Sequence, residues 1–403
     1  MTLRTSFEST WAELDDVGRF AHTGGYRRFA WTAVDLELRT WFVAEAAKRG
    51  LDVTTDRAGN QWAWWGDPDA AVGRGEPGIA IGSHLDSVPD GGAFDGPLGV
   101  VSAFLALDAL RADGFVPSKP IGVVNFCDEE GARFGIACAG SRLITGVLDP
   151  DRARNLRDSD GTTMESAMRS AGQDARFLGR DDETLNRVGA FIELHVEQGR
   201  ALIDLDAPVG VASAIWPHGR WRFTFRGEAN HAGTTRLDDR HDPMINYALA
   251  VLAARASAER HGALATFGKV EVVPNGVNAI PSQISAWLDL RGPEEALLDA
   301  VMDELVFADV STENESLTPL TSFDAGLRDR VTTELELDGA PVPVLATGAG
   351  HDAGILANAG VPTAMLFVRN PSGISHSPVE YAEIDDCVSG IEALARVIRN
   401  LTA

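Results

Sequence analysis

The hydrophobic pattern of the chain alternates between short apolar runs and longer helical stretches. Mostly apolar runs at 78–82, 121–126 and 190–194 are typical of strands that are buried on both faces. The stretches 36–48 and 98–111 have the pattern of helices, and the first of them is followed by a glycine that ends it. Because strand and helix alternate, this part of the chain favours an α/β fold.

The pattern changes at about Trp221. Residues 221–226 alternate with a period of two, as expected of a half-exposed antiparallel strand. The elements predicted after it are a helix, two strands and a second helix, at 243–260, 266–273, 283–290 and 294–306. The first pattern then resumes with a helix, two strands and a closing helix, at 323–335, 343–346, 363–368 and 385–401. The stretch 149–182, rich in Arg, Asp and Ser, is interpreted as a solvated helical excursion.

Five histidine and acidic residues lie in turns or where these strands end. They combine three imidazoles with two carboxylates, which is the ligand mixture that suits a pair of divalent cations. They are His84, Asp95, Glu130, His195 and His376. One such residue alone is more often a polar turn residue, but five in this mixture rarely coincide. The sequence therefore predicts a binuclear metal site, and a hydrolase is the first class of protein to consider.

The order of these residues predicts how the domains are arranged. His376 follows the unit that begins near Trp221, whereas its four partners precede it. We therefore predict a discontinuous catalytic domain of residues 1–213 and 321–403, and an inserted α+β domain of residues 214–320. The length of 403 residues allows two or three domains.

Composition and charge narrow the possible partners. The formal net charge of −24 makes nucleic acid an unlikely partner, because phosphate binding needs clustered Lys and Arg. The three cysteines, Cys127, Cys138 and Cys387, are odd in number and widely spaced, which favours a reducing compartment. The first residues contain no apolar signal core, and no stretch approaches the roughly 20 apolar residues of a membrane span. We therefore expect a cytoplasmic protein with neither nucleic acid nor membrane as a partner.

Five segments resemble, in order, the motifs of one enzyme family. They are GSHLDSVPDGGAFDGPLGV at 82–100, EEGARF at 129–134, ELHVEQG at 193–199, HAGTT at 231–235 and ISHSP at 374–378. Together they resemble the amidase, hydantoinase and carbamoylase branch of the M20 metallopeptidase superfamily, and the likeness covers nearly the whole chain. The chain departs from the usual family pattern after Thr235, where Arg236 replaces a frequent proline and His241 a frequent arginine. This departure leaves the lid contacts and the substrate preference open.

The resemblance implies a fold and a set of metal ligands. The implied fold is a metallopeptidase-like catalytic domain with a mixed sheet flanked by helices, plus an inserted lid domain through which two chains form a homodimer. The implied site holds two divalent metal ions per subunit, bridged by Asp95. His84 and His195 share one ion, and Glu130 and His376 hold the other. Zinc, manganese, cobalt and nickel all suit these ligands.

Three further residues are candidates for catalytic roles. Glu129 neighbours the predicted ligand Glu130 and is our candidate for the general base, which takes a proton from the metal-bridging water and returns it to the departing nitrogen. Asp86 lies two positions after His84 on an extended chain, and we expect it to accept the other imidazole N–H. The resemblance implies that His231 reaches the site from the partner subunit, where it contacts the substrate and stabilises the oxyanion.

A ureido substrate with a carboxylate needs a fixed cation and amide donors. By resemblance, Arg291 binds the carboxylate, a task that suits a bidentate guanidinium. Asn278 and Gln198 are the other implied substrate-binding residues, with Gln198 at the amide end. The plainer alternatives are a surface salt bridge for Arg291, a turn residue for Asn278 and a solvated polar residue for Gln198. His351, in a glycine-rich segment, is expected to be structural.

From the resemblance we predict metal-dependent hydrolysis of the carbamoyl (ureido) C–N bond of an N-carbamoyl-L-amino acid, which gives the L-amino acid, carbon dioxide and ammonia. The nearest alternative is an allantoate amidohydrolase, which hydrolyses a linear ureide in purine catabolism, followed by a β-ureidopropionase. A dipeptidase or aminopeptidase is disfavoured by the Glu-x-Gln-Gly and His-Ala-Gly-Thr-Thr motifs. A non-catalytic metal-stabilised binding protein is disfavoured by the presence of Glu129.

Overall fold

The structure is a computed structural model that describes residues 2–336 and 339–403. The chain divides into two compact units, one formed by Met1–Ser213 with Ser322–Ala403 and the other by Ala214–Thr321. Each unit has its own sheet and its own hydrophobic core. The role of the second unit as a lid and dimerisation domain stays a prediction.

The strands and helices alternate along the chain. The strands are β1 (Asp52–Thr55), β2 (Gln61–Trp65), β3 (Gly78–His84), β4 (Ile121–Phe126), β5 (Val188–Val196), β6 (Val209–Ile215), β7 (His218–Arg226), β8 (Asn230–His231), β9 (Leu264–Val273), β10 (Ala279–Ile280), β11 (Gln283–Arg291), β12 (Val310–Thr318), β13 (Thr321–Ser322), β14 (Val344–Thr347) and β15 (Thr363–Val368). The helices are α1 (Leu3–Ala12), α2 (Ala33–Lys48), α3 (Pro68–Gly73), α4 (Pro97–Ala112), α5 (Ala139–Ile144), α6 (Pro150–Asn155), α7 (Met164–Ser170), α8 (Asp182–Asn186), α9 (Ala201–Asp204), α10 (Pro243–His261), α11 (Glu295–Glu304), α12 (Ala325–Leu335), α13 (Asp352–Asn358) and α14 (Ile384–Thr402). Short 3₁₀ helices lie at Ala175–Phe177 and Leu237–Asp239.

The larger sheet mixes parallel and antiparallel strands. Within the described residues it has nine strands in the order β1-β2-β4-β3-β5-β15-β6-β13, with β14 paired to β6. The four central strands, β4, β3, β5 and β15, are parallel, and β2 and β6 pair with them in antiparallel orientation on either side. Parallel strands bring their carboxyl ends to the same edge of the sheet, which is where α/β proteins place their binding sites. The predicted fold class, a mixed sheet flanked by helices, is confirmed.

Side-chain alternation along β5 decides which face of the sheet carries polar groups. Ala190, Ile192 and Leu194 belong to the hydrophobic core that also contains residues of α4 and α14. Because neighbouring residues of a strand point to opposite faces, Glu193 and His195 point to the other face. Helix α13 contacts β5 and β15. The polar side chains of β5 therefore lie on the face of the sheet that does not pack against α4 and α14.

The second unit contains a four-stranded antiparallel sheet in the order β12-β7-β11-β9. The alternate residues Ile284, Ala286, Leu288 and Leu290 of β11 are fully buried in its core. Helix α10 contacts β7, β9, β11 and α11. It begins after Asp242, whose side chain accepts a main-chain N–H, and it ends at Gly262 in the left-handed region with a φ of 67°. Strands β8 and β10 form a separate pair.

The sequence pattern missed both apolar and polar strands, among them β6 and β12. The predictions at 121–126 and 363–368 match β4 and β15, and that at 98–111 is one residue short of α4 at each end. Strand β12 was missed because residues 311–316 are exposed and polar, so no apolar alternation marks it. The excursion at 149–182 contains α6, α7 and a 3₁₀ helix. Among residues 2–336 and 339–403, we find no helix with the length and apolar run that a membrane crossing requires.

Candidate metal centre

The five predicted ligands meet at the carboxyl edge of the parallel strands. His84 is the last residue of β3, and His195 is the last but one of β5. Glu130 follows β4, His376 follows β15, and Asp95 lies in the loop between β3 and α4. Because all four strands run in the same direction, residues far apart in sequence arrive at one place.

Asp95 lies between two groups of these side chains. Its Oδ1 is 3.1 Å from Nε2 of His195 and 3.6 Å from Nε2 of His84. Its Oδ2 is 3.3 Å from Nε2 of His376, which in turn is 3.7 Å from Oε2 of Glu130. In each group of three, one ligand atom per residue lies within 4.8 Å of the others. Each group can therefore hold one cation, and Asp95 belongs to both.

Three ligand atoms of this site have no hydrogen-bond partner in the protein. Nδ1 of His195 is 2.8 Å from the carbonyl oxygen of Val196, and Nδ1 of His84 is 3.1 Å from that of Asp86. Because a carbonyl oxygen only accepts, each Nδ1 carries a proton and donates it, and each Nε2 presents a lone pair. Both Nε2 atoms and Oε1 of Glu130 are buried without a hydrogen-bond partner. Buried lone pairs of nitrogen and oxygen that face a carboxylate fit divalent cations.

The charges of the site shift the pKa values of its groups in opposite directions. The hydrogen bond to Asp95 raises the pKa of His376 to about 9, and burial raises the pKa of Glu130 to about 7. Burial alone would raise the pKa of Asp95 as well, but the neighbouring imidazoles, that of His195 foremost, hold it well below its ordinary value. Asp95 is therefore the fixed anion of the site.

Asp86 holds the segment that carries the two glutamates. Its Oδ1 and Oδ2 accept the main-chain N–H groups of Glu129 and Glu130 at 3.1 Å and 3.0 Å. We predicted that this carboxylate accepts the imidazole N–H of His84. In the structure Nδ1 of His84 lies 3.5 Å from Oδ1 of Asp86, farther than from the carbonyl oxygen of the same residue. Asp86 thus joins the end of β3 to the segment after β4 mainly through main-chain amides.

The carboxyl group of Glu129 is buried beside the ligands. Its Oε2 lies 3.8 Å from Nε2 of His84. Its Oε1 accepts the thiol of Cys138 at a distance of 3.1 Å from Sγ, a contact that sequence reasoning missed. Burial raises the pKa of Glu129 well above its ordinary value. A carboxyl group that is next to the ligands, but is held by another partner, is suited to accept and return a proton.

Gln198 lies among the ligands. Its Nε2 donates to Oδ2 of Asp95 at 2.8 Å and is 3.2 Å from Nε2 of His376. Its Oε1 is buried and has no hydrogen-bond partner. The structure therefore brings this predicted residue to the site, and its role toward a substrate stays a prediction.

A further polar cluster lies behind His195. The ring of His351 is 4.5 Å from the ring of His195, centroid to centroid. Glu193 accepts the hydroxyl of Ser83 at 2.7 Å and the amide of Ala353 at 3.0 Å. Glu193, His195 and His351 also have ligand atoms within 4.8 Å of one another. The sequence signal for Glu193 was its place two residues before His195, on the same face of β5.

His231 and Asn278 come together within the second unit. His231 of β8 is the register partner of Ala279 in β10, so Asn278 is next to it. The carbonyl oxygen of Asn278 accepts the amide of Ala232 at 2.9 Å. Nδ1 of His231 accepts the amide of Gly233 at 3.0 Å, which leaves Nε2 to carry the proton of a neutral ring. His231 therefore presents an N–H donor, as a residue that stabilises an oxyanion must.

Arg291 lies at the end of β11 that is far from Asn278. It is the last residue of β11, whereas Asn278 lies before β11, in the segment 274–282 that also contains β10. At about 3.3 Å per residue, β11 spans roughly 26 Å. The guanidinium of Arg291 donates to both carboxylate oxygens of Asp289, at 2.6 Å and 3.1 Å. Two of the predicted substrate-binding residues are thus separated by the length of a strand.

The chain is similar to characterised enzymes over nearly its whole length. It is 34% identical to an N-carbamoyl-L-amino acid amidohydrolase of Geobacillus stearothermophilus, and the match covers 98% of each chain. It is 32% identical to the allantoate amidohydrolase of Escherichia coli (strain K12), over 94% of this chain and 93% of that one. Among solved structures, an amidase of the hydantoinase/carbamoylase family from Burkholderia vietnamiensis superposes with a TM-score of 0.86 at 28% identity, over 100% of this chain and 97% of that one.

The profile of peptidase family M20/M25/M40 matches residues 80–400. This range includes all five predicted ligands, and the predicted family is confirmed. The two groups of side chains that share Asp95 agree with the metal dependence of that family. The chain therefore belongs to peptidase family M20/M25/M40, in which it is a hydrolase that acts on carbon–nitrogen bonds other than peptide bonds.

Proposed function

We propose that this hydrolase cleaves the ureido C–N bond of an N-carbamoyl-L-amino acid and releases the L-amino acid, carbon dioxide and ammonia. The proposal depends on one observation, which is that two groups of possible metal ligands share Asp95 and lie beside the buried carboxyl group of Glu129. Similarity to an N-carbamoyl-L-amino acid amidohydrolase supports this substrate class. Allantoate is the second candidate, because the chain is nearly as similar to an allantoate amidohydrolase.

Each ligand group is proposed to hold one divalent cation. His84 and His195 with Asp95 would hold the first, and Glu130 and His376 with Asp95 the second. When bound, two such cations lower the pKa of water and polarise the carbonyl oxygen of a substrate. The unpartnered Nε2 atoms of the two buried histidines support this assignment. Zinc, manganese, cobalt and nickel are all compatible with the donor atoms.

Glu129 is proposed to move the proton. The thiol of Cys138 occupies its Oε1, so Oε2 is the oxygen on the side of His84. In this role Oε2 takes a proton from the attacking water and returns it to the departing nitrogen, which leaves as ammonia. The N-carboxy amino acid that remains then loses carbon dioxide, which breaks the second C–N bond and gives the L-amino acid. Gln198, whose Nε2 already lies among the ligands, is proposed to donate to the amide end of the substrate.

A homodimer is proposed to complete the site. One small ureido substrate does not span the roughly 26 Å of β11, so Arg291 and the pair His231–Asn278 of one chain would serve two different sites. Arg291 would bind the substrate carboxylate at one of them. The N–H on Nε2 of His231 would stabilise the oxyanion at the other, in the partner subunit.

The outer face of α10 supports association through the second unit. Ile245, Leu249 and Leu252 recur at helical spacing, and they are 60%, 53% and 67% exposed. An exposed apolar stripe on a protein surface often marks an interaction site. Leu249→Glu is therefore expected to yield monomers in analytical ultracentrifugation, whereas a variant that stays dimeric would place the interface elsewhere.

The decisive experiment is a substrate panel run with a base variant. After reconstitution with Zn²⁺ or Mn²⁺, ammonia release is measured with N-carbamoyl-L-amino acids and with allantoate. Glu129→Gln is expected to retain the metal content of the parent and to lose about 10²–10⁴-fold in kcat, the usual contribution of a general base. Glu45→Gln makes the same change at a buried glutamate of α2 that pairs with Lys48 and Arg49, and it controls for the substitution itself. If Glu129→Gln keeps its turnover, Glu129 is not the general base. If the parent releases ammonia from allantoate and from none of the N-carbamoyl-L-amino acids, allantoate is the substrate.

A further inference from the structure

One buried carboxylate joins two loops of the proposed metal centre and has no role in the chemistry described above. Glu380 is 4% exposed and lies four residues after His376. Its Oε1 accepts the amides of Phe94 and Asp95 at 3.1 Å and 2.9 Å, and its Oε2 accepts the hydroxyl of Ser375 at 2.8 Å. Glu380 thus connects the loop of Asp95 to the loop of His376, although Asp95 and Glu380 are 285 positions apart in sequence.

Gly92 packs directly against the side chain of Glu380 and leaves no room for a side chain of its own. A Cβ atom at Gly92 would lie 2.4 Å from both Cβ and Oε1 of Glu380, which is shorter than any ordinary van der Waals contact. Gly92 does not have a left-handed φ, so its backbone conformation is open to other residues. The absence of a side chain at Gly92 is therefore what lets Glu380 reach the two amides.

We propose that Glu380 is a positioning residue for metal binding, which sets the place of Asp95 between the two ligand groups. Asp95 is sensitive to small displacements, because its two oxygens face His195 at 3.1 Å and His376 at 3.3 Å on different sides. The hydroxyl of Ser375 lies 3.3 Å from Oδ2 of Asp95, so Glu380 also orders a second neighbour of that oxygen. This inference rests on the proposed metal centre and names a residue on which its cation affinity depends.

The test measures Zn²⁺ affinity by competition with a chromophoric chelator, and Tm with and without Zn²⁺. Glu380→Ala and Gly92→Ala are each expected to weaken Zn²⁺ binding by about 10–100-fold, the usual effect of losing an outer partner of a metal ligand. The increase in Tm caused by Zn²⁺ should shrink accordingly. Glu380→Gln keeps a carbonyl oxygen for the two amides and should retain most of the affinity. Asp181→Asn is the control, because Asp181 is a buried carboxylate that accepts an amide and a hydroxyl from Thr184; it should lower Tm but leave Zn²⁺ affinity unchanged.

The outcomes separate this inference from the proposed function. A lower Tm in Glu380→Ala with the Zn²⁺ affinity of the parent would mean that Glu380 only stabilises the fold, and would overturn the inference. If Glu380→Ala does not fold, Gly92→Ala decides, because it displaces the carboxylate without removing it. A parent protein that binds no Zn²⁺ and no Mn²⁺ would overturn the metal centre and this inference together. If the parent binds Zn²⁺ and Glu380→Ala and Gly92→Ala bind it with the same affinity, only the role of Glu380 is overturned.

Discussion

Replacement of Asp86 tests whether main-chain hydrogen bonds hold the segment of Glu129 and Glu130 in place. The side chain of Asp86 is 3% exposed, and its two oxygens accept the amides of Glu129 and Glu130. In Asp86→Ala both amides lose their acceptor inside the protein. A buried polar group left unpaired costs about 1–3 kcal/mol, so the free energy of unfolding should fall by about 2–6 kcal/mol. Asp86→Asn retains one oxygen acceptor and should lose about half as much.

The same substitution should also weaken metal binding, because Glu130 loses the hydrogen bond that fixes its backbone. We expect about 10–100-fold lower Zn²⁺ affinity in Asp86→Ala. Denaturant unfolding of the metal-free protein measures the stability change, and chelator competition measures the affinity. Asp181→Ala, which removes a buried carboxylate outside the site, should lower stability without changing affinity. The reasoning is refuted if Asp86→Ala unfolds at the same denaturant concentration as the parent, or if Asp86→Asn loses as much stability as Asp86→Ala.

Three further predictions concern the proton, the carboxylate and the dimer. Cys138→Ala should lower kcat by about 2–10-fold with little change in KM, because it removes one hydrogen bond to Glu129 worth about 0.5–1.5 kcal/mol. Cys138→Ser keeps a donor to Glu129 and should retain most of the kcat of the parent in steady-state assays. Equal values of kcat in the two variants would exclude a role for the thiol. Arg291→Ala should raise KM for carboxylate substrates far more than it changes kcat, so an unchanged KM would exclude carboxylate binding. At a substrate concentration near the KM of the parent, heterodimers of Glu129→Gln with His231→Ala should regain one competent site. Heterodimers of Glu129→Gln with Arg291→Ala should gain little activity, because the two ends of β11 would serve different sites and the subunit with an intact Glu129 would lack its own carboxylate-binding arginine. Ammonia release from confirmed heterodimers measures this, and recovery in both mixtures or in neither contradicts it.

The positions of the five candidate ligands were predictable because two kinds of sequence signal coincide at them. Each lies at the end of an apolar run or in a glycine-containing turn, and each has a side chain that binds divalent cations. Parallel strands then bring these positions together, because their carboxyl ends lie at the same edge of the sheet. His84 and His195 therefore needed no knowledge of the tertiary structure beyond the strand direction. The same reasoning failed for β12, where exposed polar residues form a strand without apolar alternation.

The relation between His231, Asn278 and Arg291 was not predictable in the same way. All three lie in one α+β unit, and their motifs give no distance between them. The register of β8 with β10 brings His231 next to Asn278, whereas the length of β11 separates Asn278 from Arg291. Register and strand length are properties of the folded sheet, so the sequence named these residues but did not tell which of them act together.

The two carboxylates that contact the backbone of the candidate ligands, Asp86 and Glu380, were the hardest to predict from the sequence, because they accept main-chain N–H groups. Asp86 was singled out for its place near His84, but its carboxylate accepts the amides of Glu129 and Glu130. Glu380 was not singled out at all, and it accepts the amide of Asp95. A main-chain N–H exists at every residue except proline, so no side-chain motif records which amide a distant carboxylate will accept. Motifs therefore identify candidate cation ligands, whereas the carboxylates that accept the main-chain amides beside those ligands become visible only in the folded chain.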